Sequence, residues 1–188
     1  MRRTTLLATL GAMLAALVVV GGVAWAAQNF IQCPNSGGAF GYCDGTDGND
    51  VMKGTPGDDS MRADLGKDTL YGYKGADRLY GNEGRDVVYG GPGDDDLGSG
   101  CDGIWCGRDE HHGGPGDDHI VGNPASEKHF GGRGDDEIAD YESNEIVGYD
   151  SSKYPDVIRC GPGHDWVFFD RGIDKVADDC EKLTPVKR

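Results

Sequence analysis

Positive charge is what this sequence lacks most. Its 18 lysines and arginines face 33 aspartates and glutamates, a formal net charge of −15. Nucleic acid and anionic membrane surfaces would be repelled by such a chain, so neither is an expected partner. Catalytic signatures are missing as well. No histidine pairs with a candidate nucleophile in a recognisable motif, and nothing resembles a metalloprotease helix. Asp94-x-Asp96-x-Gly98 lacks the third oxygen ligand, the glycine placement and the closing Glu of an EF-hand loop. Phosphate-cradling loops are excluded because the glycine-rich turns here hold carboxylates, which would repel phosphate.

Glycine is what the chain has in excess: 33 residues, with a mean hydropathy of −0.54. A disordered acidic linker shares that composition, but it has no reason to place an apolar residue at every ninth position. Asp50, Asp59, Asp68, Asp77, Asp86 and Asp95 stand nine residues apart. Two places after each comes an apolar residue (Met52, Met61, Leu70, Leu79, Val88, Leu97), and two places before each comes a glycine. A short period that locks carboxylate, glycine and core residue into one register predicts a solenoid whose coils carry identical acidic turns. Stacked acidic turns repel unless a cation lies between them, so the pattern predicts calcium.

Six units run from 45 to 98, starting at Gly45, Gly54, Ala63, Gly72, Gly81 and Gly90. Register breaks over 99–112 and resumes at Gly113 with Asp118 and Ile120. A degenerate unit at 122–130 has Glu127 in the acidic place and His129 in the core place. Unit 131–139 is regular, with Asp136 and Ile138, and 140–148 is weak, with Glu145 and Val147. Units 151–159, 160–168 and 169–177 carry Asp156/Ile158, Asp165/Val167 and Asp174/Val176.

Gly90-Gly91-Pro92-Gly93-Asp94-Asp95-Asp96-Leu97-Gly98 and Gly131-Gly132-Arg133-Gly134-Asp135-Asp136-Glu137-Ile138-Ala139 fit G-G-x-G-x-D-x-U-x, with U a large apolar residue. That consensus resembles the nonapeptides of RTX, or haemolysin-type, calcium-binding proteins. The closing stretch from Asp156 to Glu181 looks like the terminal unit of small secreted actinobacterial members. The resemblance implies an all-β parallel β-roll, a right-handed β-solenoid with two units per coil and disulfide-stapled caps. Within each unit six residues make a turn and three a short strand, whose middle side chain points inward. The core is then one thin layer, too thin to order this much glycine unaided.

Calcium takes six to eight oxygens and accepts carboxylates mixed with backbone carbonyls. Turns two units apart stack on one edge, which pairs Asp50 with Asp68, Asp59 with Asp77, Asp68 with Asp86 and Asp77 with Asp95. Asp118 with Asp136 and Asp156 with Asp174 extend the set. No calcium is expected between Glu127 and Glu145, whose longer side chains fit the turn poorly. A lone aspartate in such a turn would serve as a cap on its own backbone; six in register point to metal. Weak sites and coupled binding and folding are expected.

Arg2 and Arg3 precede an apolar stretch from Leu6 to Ala24, and Ala24-Trp25-Ala26 offers a cleavage site, so residues 1–26 read as a signal peptide, with an uncleaved anchor as the alternative. Losing those two arginines takes the remainder to −17. The further divisions are an N-terminal cap at 27–44, a first repeat block at 45–98, a register-breaking insertion at 99–112, a second block at 113–177 and a C-terminal cap and tail at 178–188. Six cysteines in an exported chain suggest disulfides. Sequence-local pairing is preferred (33–43, 101–106, 160–180), with a zinc site as the alternative for Cys101 and Cys106 near His111 and His112. Turns twenty residues apart should place Cys160 over Cys180.

Tyr71, Tyr80 and Tyr89 fall on the outward side of the strands, Tyr71 and Tyr89 on one face and Tyr80 on the other. A sugar-binding stripe and plain cross-strand packing both account for them. The histidines His111, His112, His119 and His164 read as surface positions. Only 28–44 and 99–112 are sizeable non-repeat pieces, and neither can house a catalytic domain. The expectation is a secreted, non-enzymatic calcium-binding roll. Its alternatives are an adhesion protein for cell-surface polysaccharide and the secretion module of a toxin or enzyme. Oligomeric state is not legible.

Overall fold

The computed structural model describes residues 28–33, 42–100, 106–139, 155–169 and 173–185. The expected signal peptide, Cys101, Trp105 and Glu145 lie outside them. Two all-parallel sheets face each other, and the chain alternates between them, one short strand at a time. The first sheet stacks Asn29–Gln32, Asp50–Lys53, Thr69–Tyr71, Val87–Tyr89, Glu110–Pro115, Lys128–Arg133, Val157–Arg159 and Lys175–Val176. The second stacks Cys43–Thr46, Ser60–Gly66, Arg78–Tyr80, Asp96–Gly98, His119–Val121, Glu137–Ala139, Trp166–Phe169 and Lys182–Pro185, with Glu83–Gly84 paired beside Ser60–Gly66. This is the β-solenoid the nine-residue period predicts.

Strands of three or four residues alternate their side chains, so each rung contributes one residue to the interior. From the first sheet these are Ile31, Met52, Leu70, Val88, His111, His129, Ile158 and Val176, aligned rung over rung. Met61, Leu79, Leu97, Ile120, Ile138 and Val167 do the same from the second sheet and are fully buried. Leu183 continues that column but is 46% exposed, because the last rung has nothing stacked beyond it.

Two expectations are corrected here. The break at 99–112 hides a rung: Glu110, His111 and His112 pair with Val87, Val88 and Tyr89. The rung-to-rung step there is 23 residues instead of 18, so only five residues are extra. His111 is therefore a core residue, not a surface one, and is as fully buried as His129. Lys128–Arg133 pairs directly with Val157–Arg159, a step of 29 residues in the neighbouring acidic ladder. The weak unit expected at 140–148 lies outside the described residues.

Disulfides Cys33–Cys43 and Cys160–Cys180 close the two ends, with Cα separations of 5.6 and 5.2 Å. Cys106 is also disulfide-bonded, which leaves it no thiolate for zinc; its expected partner Cys101 lies outside the described residues. Lys182–Pro185, within the expected C-terminal cap and tail, forms the last described rung against Trp166–Phe169.

Candidate metal centre

Because the chain turns between the sheets twice per coil, the acidic turns fall into two rows along opposite edges. The first row ends in Asp50, Asp68, Asp86, Asp109, Glu127, Asp156 and Asp174. The second ends in Asp59, Asp77, Asp95, Asp118, Asp136, Asp165 and Glu181. Both rows are hydrogen-bonded ladders. In the second, the backbone N–H of Asp59 donates to Asp77 Oδ1 (2.8 Å), Asp77 to Asp95 (2.9 Å), Asp95 to Asp118 (2.9 Å), Asp118 to Asp136 (2.9 Å) and Asp136 to Asp165 (3.0 Å). In the first, Asp50 N–H donates to Asp68 (2.7 Å), Asp68 to Asp86 (2.9 Å), Asp86 to Asp109 (2.9 Å) and Asp156 to Asp174 (3.2 Å). All ten aspartates singled out from the sequence occupy ladder positions. Asp109 and Asp165 join them.

One oxygen of each carboxylate serves the ladder, and the other shows what the site requires. Asp68, Asp77, Asp86, Asp95, Asp118, Asp136 and Asp165 each bury an Oδ2 with no hydrogen-bond partner among the described residues, and Asp59 buries an unpartnered Oδ1. A buried, unpaired carboxylate oxygen costs more than an ordinary unmade hydrogen bond. Burial accordingly pushes Asp77 and Asp136 up to about 6, Asp68 and Asp95 to about 7, and Asp86 and Asp118 to about 8. The N–H donated by the neighbouring rung pulls each one down but is outweighed.

The space beside these oxygens is shaped by glycine. A Cβ on Gly54 would lie 2.6 Å from Asp59 Oδ2 and 2.7 Å from the Gly72 carbonyl oxygen of the next rung. The same overlap, with a carboxylate Oδ2 and a next-rung carbonyl, recurs at Gly72 (Asp77, Gly90 O), Gly90 (Asp95, Gly113 O), Gly113 (Asp118, Gly131 O) and Gly131 (Asp136, Cys160 O). Each of these glycines thus faces one carboxylate oxygen and one backbone carbonyl oxygen of the next rung. No cluster of three His, Cys, Asp or Glu side chains suited to a metal occurs among the described residues, so a cation held here must draw on the backbone. Hard carboxylate and carbonyl oxygens suit calcium, and suit zinc or copper badly.

Around Glu127 the chemistry changes. Its carboxylate accepts from Ser99 Oγ (2.7 Å) and from the Asn123 backbone N–H (2.6 Å), while Asn123 Nδ2 donates to Asp109 Oδ2 (3.0 Å). Beneath it, His111 and His129 stack with ring centroids 5.2 Å apart and Nδ1 atoms 3.3 Å apart. Burial holds both imidazoles neutral, His129 at about 4 and His111 well below its ordinary value.

A parallel roll with oxygen cradles between its turns defines a class of calcium-binding β-solenoid. Residues 44–79, 71–100 and 107–138 match the RTX calcium-binding nonapeptide repeat (4 copies), so the chain carries repeats of that family. No curated protein matches it.

Proposed function

We propose that the protein is a secreted, non-enzymatic roll whose second row of turns takes up calcium and folds in doing so. Asp59, Asp77, Asp95, Asp118, Asp136 and Asp165, with the carbonyls of Gly72, Gly90, Gly113, Gly131 and Cys160, would hold the ions. Asp68 with Asp86 would add a place in the first row, and Asp50, Asp156 and Asp174 extend that row's ladder. Calcium supplies the positive charge that the unpaired oxygens lack. The chain's own residues do the rest: the glycines leave the space, the ladder N–H groups orient the carboxylates, and the disulfides hold the ends.

The row of unpartnered buried oxygens carries this reading. Export is supported by the oxidised cysteines and by the leader-like first 26 residues, since disulfides persist outside the cytosol. Sites with one carboxylate per turn belong among the weaker, extracellular calcium modules, roughly 0.1–1 mM. Isothermal titration of the mature chain should show several calcium ions bound in that range and no comparable heat from magnesium, whose octahedral demand suits these turns poorly. Equal binding of both ions, or none, would refute the assignment.

A further inference from the structure

The first sheet's outer face carries a groove that calcium binding leaves unused. It is walled by Tyr71, Tyr73, Lys74 and Tyr89 and closed by Pro56 and Pro92, with a volume of about 460 Å³. The wall is almost entirely carbon, and Lys74 is the single charged group among its lining residues. Tyr71 and Tyr89 stack from adjacent rungs with centroids 5.1 Å apart and planes 6° apart, and Tyr73 lies beside Tyr71 at 6.2 Å.

Tyr73 is out of place. It occupies the second position of its turn, where Gly91, Gly114, Gly132 and Gly161 stand in later turns of the same row, and like them it has a positive φ, 80°. Asp64 and Asn82 also take positive φ, but short side chains that bond locally tolerate that region and a bulky aromatic does not. The strain is not offset by burial, because Tyr73 is 45% exposed. Glycine would serve the fold better here. Backbone strain held under an exposed ring at the mouth of a groove points to use by a ligand. On the next rung Gly91 leaves no side chain to cover that ring.

The groove offers little to a peptide, since its backbone is already committed. Tyr73 N–H donates to Gly90 O (3.0 Å), Gly90 N–H to His112 O (2.9 Å) and Gly91 N–H to Gly113 O (2.9 Å). A bound peptide would find no strand edge to pair with and would leave its own amides unmatched. A sugar ring has the opposite needs. Its C–H face packs on an aromatic surface, its hydroxyls remain in water, and the phenols and the Lys74 ammonium meet them at the rim. On a chain of net charge −15, an acidic polysaccharide is repelled.

We propose that this groove binds a neutral hexopyranose chain, with Tyr73 as the stacking platform, Tyr71 and Tyr89 as the wall and Lys74 as a donor to hydroxyl oxygens. The inference goes beyond calcium binding, although Tyr73 stands in the Asp77 turn and Gly90, whose carbonyl is assigned to calcium, also lines the groove. The test uses the calcium-saturated mature chain, with circular dichroism confirming the fold, so a failure of sugar binding is separable from a failure of the calcium assignment. Cellohexaose, mannohexaose and chitohexaose are titrated calorimetrically, with a mannuronate hexamer and a tyrosine-rich peptide as the other arms. The expected result is saturable binding of at least one neutral hexamer. Tyr73→Gly should lower that affinity at least tenfold while raising the melting temperature, because it relieves the strain. The proposal is overturned if the folded protein binds no neutral hexamer, or prefers the acidic hexamer or the peptide. It is equally overturned if Tyr73→Gly keeps its affinity, or if it melts lower than the parent, which would make Tyr73 a structural residue.

Discussion

The two edges of this roll are built from one repeat and have diverged in opposite directions. Along the second row, the fifth place of the turn holds Asp58, Ala76, Asp94, Asp117, Asp135 and His164 before the ladder aspartates, four of the six acidic. Along the first row the same place holds Asn49, Lys67, Arg85, Arg108, Ser126, Pro155 and Ile173, none acidic. The second row leaves an unpartnered oxygen on every aspartate from Asp59 to Asp165, whereas the first does so only at Asp68 and Asp86. Elsewhere the first row answers its carboxylates from within: Thr46 N–H and Oγ1 bond Asp50, and Asn123 and Ser99 bond Asp109 and Glu127. Stacked carboxylates can therefore be reconciled in two ways, with a cation from solution or with donors encoded in the chain. Only the first makes folding depend on the medium.

The largest test of that contrast is pH without metal. The raised carboxyls, from about 6 at Asp77 and Asp136 to about 8 at Asp86 and Asp118, bind protons more tightly folded than unfolded. Their contribution is fully present below the unfolded value, near 4, and is lost as pH rises through 6 to 8. The buried histidines oppose this. With folded values below the unfolded one, they stabilise above about 6.5 and cost stability as pH falls. Eight raised aspartates, Asp109 and Asp165 among them, outnumber two histidines, so chelator-treated protein should gain β-structure by circular dichroism between pH 8 and pH 5. Loss of structure over that range would mean that protons cannot stand in for the cation.

Substitutions then separate the rows. Asp118→Asn and Gly113→Ala remove the carboxylate and fill the cradle of one second-row site. Each should raise the calcium midpoint for folding by roughly 10–100-fold, the usual effect of damaging a metal's supporting shell. Asp109→Asn should leave that midpoint within a fewfold of the parent. Asn123→Ala in the first row should cost about 1–3 kcal/mol in calcium-saturated urea unfolding, because Asp109 Oδ2 loses its donor. The smallest effect is expected from replacing His111 and His129 together with valine and isoleucine. Removing two desolvated imidazoles whose Nε2 atoms make no hydrogen bond among the described residues, His129 Nε2 standing 3.5 Å from Glu127 Oε2, should stabilise by about 1 kcal/mol, seen as a higher melting temperature.

The sequence revealed most where local and global signals agreed. Nine-residue spacing placed the interior columns from Met52 to Leu97 and the stacked pairs of aspartates, because an inward residue at each short strand leaves no freedom of register. It misled where a rung survives on partial signals. Counting back nine residues from Gly113 sets Gly107 and Asp109 in their places, but Ile104 stands where glycine opens a turn and His111 where an apolar residue belongs. A polar residue in the core place reads as surface until a partner is known. Here that partner is His129 on the next rung, which no one-dimensional pattern shows. The unequal rows were visible in the fifth-place residues. Which carboxylate oxygens lack partners depends on Ser99 and Asn123 reaching across rungs, and that requires the fold.

The most direct test is the far-UV circular dichroism of the mature chain at neutral pH, in millimolar calcium and again with excess chelator. The account predicts a β-sheet spectrum with calcium and a largely unordered one without it, restored when calcium is returned. The same β-spectrum in chelator would contradict it.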